Sequence, residues 1–123
     1  IILPNPDFII KNKKDLLGIV VTHAHEDHIG AIGHIWPQLK CPVFSTPFAS
    51  AVLKRKLKEL KIKPNFIKTV QLDSSFKLGP FDIDVISTTH SIPEPNALGI
   101  KTKFGNISRA GGMVIDCKCS IDI

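Results

Sequence analysis

Between His23 and His28 the chain places three of its five histidines and two carboxylates in six positions, His23-Ala24-His25-Glu26-Asp27-His28. Side chains two apart in an extended loop project to the same side, so His23 and His25 aim at one point. Asp27 and His28 follow where the chain turns toward a helix, and they face a second point close to the first. Zinc accepts imidazole nitrogen and carboxylate oxygen at about 2.0–2.2 Å, and paired metals in hydrolytic sites lie roughly 3.5–4 Å apart. Neighbouring ligand pairs therefore suit neighbouring ions, and the chemistry they suit is hydrolysis. The plainer reading is a polar loop whose histidines cap the next helix while Asp27 bonds backbone amides; it fits a lone histidine better than four ligand types in this order. His90 is the candidate third imidazole, because a loop after a strand over Phe81–Ile86 can return it to His23 and His25.

The elements that must position these residues follow from the patterning. Leu17–Val21 is a continuous apolar run, β-branched at Ile19, Val20 and Val21, which suits a strand covered on both faces. Ile29, Ile32, Gly33 and Trp36 recur at helical spacing as far as Pro37, so the histidine cluster sits where a strand ends and a helix begins. Pro42–Ser45 reads as a second short strand. Thr46-Pro47 then supplies a cap and a first-turn proline to a helix with Phe48, Val52, Leu53, Leu57 and Leu60 on one side, ending before Pro64. From Phe66 the text turns β-rich: Phe66–Leu72, Ser75–Leu78, a turn at Gly79-Pro80, then Phe81, Ile83 and Val85 alternating with Asp82 and Asp84, which predicts one buried face. Ala97–Thr102, a turn over Lys103–Asn106, and Met113–Cys117 complete the series. Strand, helix, strand, helix and a meander predict an α/β layered domain with a mixed sheet. His34 falls within the first helix, where it packs or caps, and is left out of the site.

The order His-x-His-x-Asp-His after an apolar strand resembles the hallmark of the metallo-β-lactamase superfamily, and Thr22–Ala31 matches it at every ligand position. That resemblance implies an αββα sandwich, here a partial one, with the metal site at one edge between two sheets. A second segment, His90-Ser91-Ile92-Pro93-Glu94, resembles the corresponding stretch of the bacterial ribonuclease J family, and Ile100-Lys101-Thr102 with Phe104-Gly105-Asn106 continues the likeness. The resemblance implies that His23, His25 and His90 hold one zinc, while Asp27 and His28 begin a second site and Asp27 also stands where a carboxylate orients the attacking water. It implies two Zn2+ per intact site, with Mn2+ as the alternative ion, and RNA as the partner. The activity implied is phosphodiester hydrolysis, as a 5′-to-3′ exonuclease and an endonuclease in RNA processing and decay. Ribonuclease J-like chains also carry a His-Thr-Gly-Asp segment whose aspartate bridges the metals; here the sequence reads Ile107-Ser108-Arg109-Ala110-Gly111-Gly112-Met113-Val114-Ile115-Asp116. Neither Asp116 nor Cys117 lies in a matching motif, and both stay unassigned.

The likeness covers about residues 1–106 and departs over 107–123, and the chain opens on apolar residues without an initiator Met. These features predict an incomplete metallo-β-lactamase-like domain lacking the β-CASP and C-terminal regions, with one zinc or none and little or no nuclease activity. Two other readings remain: a different hydrolase of the same fold, of thioesterase or lactamase type, and a non-catalytic zinc-binding remnant. Composition sets bounds on all of them. A chain of 123 residues with 43% hydrophobic and 22% charged residues has room for one core and not for two full domains. No apolar run approaches the roughly 20 residues that cross a bilayer, so no membrane partner is expected and a cytoplasmic location is the simplest expectation. Cys41, Cys117 and Cys119 do not make a disulfide framework and are read as reduced thiols. The net charge of +5 favours a polyanionic partner only weakly. Lys54, Arg55, Lys56, Lys58, Lys61 and Lys63 form a basic stretch best read as the solvated face of their helix.

Overall fold

The computed structural model describes residues 5, 7–22, 24, 29–87, 96–103, 105–109, 113–116 and 120–122. A short helix α1 (Asp7–Lys11) and a 3-10 turn lead into β1 (Leu16–Val20). Helix α2 (Ile32–Leu39), β2 (Val43–Ser45), helix α3 (Pro47–Glu59) and β3 (Ile67–Thr69) follow. The rest is β: β4 (Ser74–Leu78), β5 (Phe81–Ser87), β6 (Asn96–Thr102), β7 (Gly105–Arg109), β8 (Met113–Asp116) and β9 (Ser120–Asp122). They form two sheets, ordered β3-β2-β1-β8-β9 and β4-β5-β6-β7. β1, β2 and β3 run parallel while β8 is antiparallel to β1, so the first sheet is mixed, as the element order predicts. Among the described residues no helix is long and apolar enough to cross a membrane.

Strand β1 has two packed faces, and its apolar run serves both. Ile19 and Val21 join Val43 and the helix residues Ile32, Ile35, Leu53 and Leu57 in a core between helices and sheet. Val20 joins Phe44, Leu78, Phe81, Ile83, Val85, Leu98 and Ile100 in a second core between the sheets. The alternation Phe81-Ile83-Val85 is thus the inward face of β5, as expected. Its outward neighbours Asp82 and Asp84 pair with Lys77 at 3.6 Å and Lys101 at 3.2 Å.

Three elements depart from the sequence reading. Helix α2 passes through Pro37 to Leu39: the ring removes only the bond to the Gly33 carbonyl, and the left-handed Lys40 closes the last turn with an N–H to Trp36 O at 2.8 Å. β3 is three residues rather than seven, because its partner β2 offers only Val43, Phe44 and Ser45 to pair with. β1 carries a bulge: Leu16 faces Asp116 and Gly18 faces Ile115, leaving Leu17 as the extra residue.

Candidate metal centre

His23, His25, Asp27, His28 and His90 lie outside the described residues, and the site is built here from the elements that root them. The segment carrying the first four leaves β1 through Val21 and Thr22, both buried, and is gathered again at Ile29, which is fully buried. Between them Ala24 packs on the helix-side core. Both ends of the histidine segment are therefore fixed by burial. Among the described residues no group of three or more His, Cys, Asp or Glu side chains could hold a metal, since the predicted ligands are not among them. The expected donors, three imidazoles with a carboxylate, are chemically suited to a divalent ion.

The edge from which this segment springs is the carboxyl end of the parallel strands, where α/β sheets bind ligands. Val20 pairs with Phe44, and Val21 donates its N–H to Phe44 O at 2.8 Å. Beside it, Ser45 and Ser50 hydroxyls lie 2.6 Å apart and Thr69 Oγ1 donates to Ser50 Oγ at 3.2 Å. Val70 N–H closes this patch on Ser45 O at 2.8 Å. Thr46 occupies the N-cap position of α3, with Pro47 at the first helical position, but its hydroxyl makes no capping bond. The expected cap is thus filled in position and not in hydrogen bonding: the hydroxyl is buried without any partner.

His90 belongs to the connection between β5 and β6, whose ends Ser87 and Asn96 are paired. Ser87 is pinned: Asp73 Oδ1 accepts its N–H at 3.1 Å and its hydroxyl at 2.9 Å. Those two bonds, the amide first, hold the Asp73 carboxyl below the usual carboxylate range. β7 runs antiparallel to β6 with Arg109 opposite Leu98, so it ends at the edge where β6 begins. Three residues then join Arg109 to Met113, which pairs with Val20 at the carboxyl end of β1. Four Cα steps span at most about 14 Å. The edge of the second sheet that roots residues 88–95 and the edge of the first that roots residues 23–28 are therefore the same end of the sandwich.

The remaining candidates sort by position. Asp116 pairs with Leu16, at the opposite end of β1 from Met113. Three strand residues place its backbone about 10 Å from that edge. His34 is half-buried on α2, outside the site as expected. Cys41 is a free, buried thiol, pushed up to about 11 by burial. Cys117 and Cys119 lie outside the described residues. Along the basic stretch Lys54, Arg55, Lys58, Lys61 and Lys63 are exposed and Lys56 half-buried, a solvated helix face and its extension. Sequence reasoning missed Thr46 as anything but a cap and missed the Asp73–Ser87 tie altogether. The Thr-Pro pair hid the first, and nothing in the spacing of 73 and 87 signals the second.

A family model described as Beta-lactamase superfamily domain matches residues 4–117. Among curated proteins the chain is 35% identical over 122 residues to Ribonuclease J of Sinorhizobium meliloti, covering 98% of this chain and 22% of that protein. It is 36% identical over 118 residues to Ribonuclease J of Helicobacter pylori, covering 94% and 17%. With Ribonuclease J 2 of Staphylococcus epidermidis the identity is 33% over 117 residues, covering 94% and 21%. The chain thus spans about a fifth of the length of these relatives. Two solved structures share the fold: Igni18, a metallo hydrolase from Ignicoccus hospitalis (TM-score 0.61, 24% identity, 87% of this chain and 46% of that one), and a metallo-beta-lactamase from Staphylococcus aureus (TM-score 0.57, 17% identity, 79% and 29%).

Proposed function

We propose that this chain, which belongs to the Beta-lactamase superfamily domain family, carries the metal-binding edge of a ribonuclease J-type hydrolase acting on RNA phosphodiesters. The observation that carries the proposal is the three-residue connection from Arg109 to Met113, which brings the roots of residues 23–28 and 88–95 to one end of the sandwich. On this reading His23, His25 and His90 hold one ion, zinc, while Asp27 and His28 offer the start of a second site. A divalent metal bound there supplies Lewis acidity: it lowers the pKa of water and neutralises non-bridging phosphate oxygens. Asp27 orients the attacking water and takes up its proton. Thr22, Ala24 and Ile29 hold the segment on the core, so that His23 and His25 keep a fixed separation while substrate binds.

The same topology favours one ion over two. The connection at 110–112 reads Ala-Gly-Gly and supplies no carboxylate, and Asp116 is at the wrong end of β8 to bridge. One tightly held zinc and weak or absent nuclease activity in the 123-residue chain are therefore expected. Metal analysis of the purified protein tests this, with His23→Ala and His90→Ala each abolishing the tight ion. Two tight ions in the unaltered protein would refute the single-ion reading, and none would refute the metal centre. A panel of labelled RNA, a thioester and a chromogenic lactam separates the nuclease branch from other hydrolases of this fold. Cleavage of either of the latter without RNA cleavage would refute the RNA assignment.

A further inference from the structure

The Thr46 side chain is 1% exposed and its Oγ1 has no hydrogen-bond partner, although Ser45, Ser50 and Thr69 around it are all bonded. A buried hydroxyl without a partner destabilises the fold, and natural structures leave few such groups without a use. Its place supplies one. A threonine at a helix N-cap ordinarily accepts an amide N–H of the first turn, and this one makes no such bond. Val20 and Phe44 are paired in parallel strands, so two residues further on Thr22 and Thr46 leave the sheet side by side at the same edge. Adjacent strands are separated by about 5 Å. His23 is the next residue after Thr22.

A histidine that ligates a metal through one ring nitrogen carries an N–H on the other, and that N–H needs an acceptor to fix the tautomer and the ring orientation. The hydroxyl oxygen of Thr46 needs a donor. We infer that Thr46 is a positioning residue of the metal centre, its hydroxyl accepting the free N–H of a ligating imidazole from the 23–28 segment. The inference rests on the metal-centre reading above and assigns to Thr46 no contact with substrate. It explains why a threonine at a helix start forgoes the cap: the oxygen is reserved for the neighbouring strand's loop.

The test compares the whole chain with Thr46→Val and Thr46→Ser, measuring zinc affinity by chelator competition and thermal melting without zinc. Thr46→Val keeps the shape and removes the acceptor, so zinc binding weakens by about ten-fold or more, as loss of an outer-shell partner does. Thr46→Ser retains the oxygen and stays close to the unaltered affinity. Without zinc, Thr46→Val melts at or above the unaltered protein, because a methyl replaces an unpaired hydroxyl. A merely structural threonine would do the reverse, lowering the zinc-free melting temperature and leaving the affinity alone. That outcome, or a Thr46→Val chain that does not fold, overturns the inference. Unaltered protein that binds zinc no better than Thr46→Val overturns this inference and spares the metal centre, whereas unaltered protein that binds no zinc overturns the metal centre itself.

Discussion

The closeness of β1 to β2 rests on Gly18, and replacing it with alanine measures that closeness. A Cβ built at Gly18 would stand 2.9 Å from Pro42 O and 3.0 Å from Phe44 Cε2. Neither neighbour can give way freely. Pro42 O accepts the Ile19 N–H at 2.9 Å, and Phe44 is buried and stacked on Phe76 with ring centroids 4.8 Å apart. Overpacking of this kind costs about 1–3 kcal/mol, and strain on the Ile19 bond adds to it by up to about 1 kcal/mol. Against this, alanine restricts the unfolded chain and returns about 0.4–1 kcal/mol. The net expectation for Gly18→Ala is a loss of about 2 kcal/mol, or roughly 8 °C in melting temperature for a domain of this size. Gly33→Ala is the control. Its Cβ would stand 2.6 Å from Leu60 Cδ1, a nominally worse contact, but Leu60 is 41% exposed and can rotate away. The gain of about 1 kcal/mol in helix propensity offsets the remaining 3.3 Å contact with Leu57. Urea unfolding of both variants against the unaltered chain gives the comparison. If Gly18→Ala is as stable as the unaltered protein, or Gly33→Ala loses as much as Gly18→Ala, the reasoning from neighbour rigidity is wrong.

Two further expectations concern single groups. Cys41 should resist a thiol reagent near neutral pH until urea unfolds the chain: its thiol is buried and titrates at about 11, leaving on the order of one thiolate in a thousand or fewer; stoichiometric labelling of that position in the folded protein would contradict this. Asp73 should titrate below the ordinary carboxylate value of about 3.9, so the stability it contributes is present above that pH and is lost as pH falls through its lower folded-state pKa. Carboxyl NMR checks it, and Ser87→Ala, which keeps the amide and removes the hydroxyl, should move the titration part of the way back.

Residue type and spacing were enough to read the strand at Leu17–Val21, its double coverage, the helix after Pro47 and the inward face of β5, because each is a local pattern with one solution. The bulge at Leu17 was not readable: in an unbroken apolar run every position can face either core, so no alternation betrays an extra residue. The length of β3 depended on how much of β2 it could pair with, a fact about a partner 24 residues away. The candidate site divides the same way. Ligand chemistry announced His23, His25, Asp27, His28 and His90, but the argument that their loops share an edge needs the pairing of Met113 with Val20 and of Arg109 with Leu98. A strand near Met113 was expected from sequence, and its partner was not. Thr46 looked like an ordinary cap until the hydroxyl was found unbonded.

The bulge is also what lets one strand hold both halves of the molecule. Strict alternation would set Leu17 with Ile19 and Val21 toward the helices. The extra residue instead turns Leu17 to the inter-sheet face with Val20, and Leu16 to the helix side with Ile19. Leu17 then closes against the turn between β4 and β5, where its Cδ1 would stand 2.6 Å from a Cβ at Gly79; that residue has φ of 58° and no side chain to obstruct it. β1 is therefore fastened to the second sheet by Leu17 at its amino end and by Val20 at its carboxyl end, and the 110–112 connection repeats the fastening at the carboxyl end. With the strand held at both ends, the point where Thr22 emerges is set by core packing alone. The metal-ligand segment can then be rich in polar and charged residues, because neither its position nor its direction of departure has to come from contacts of its own.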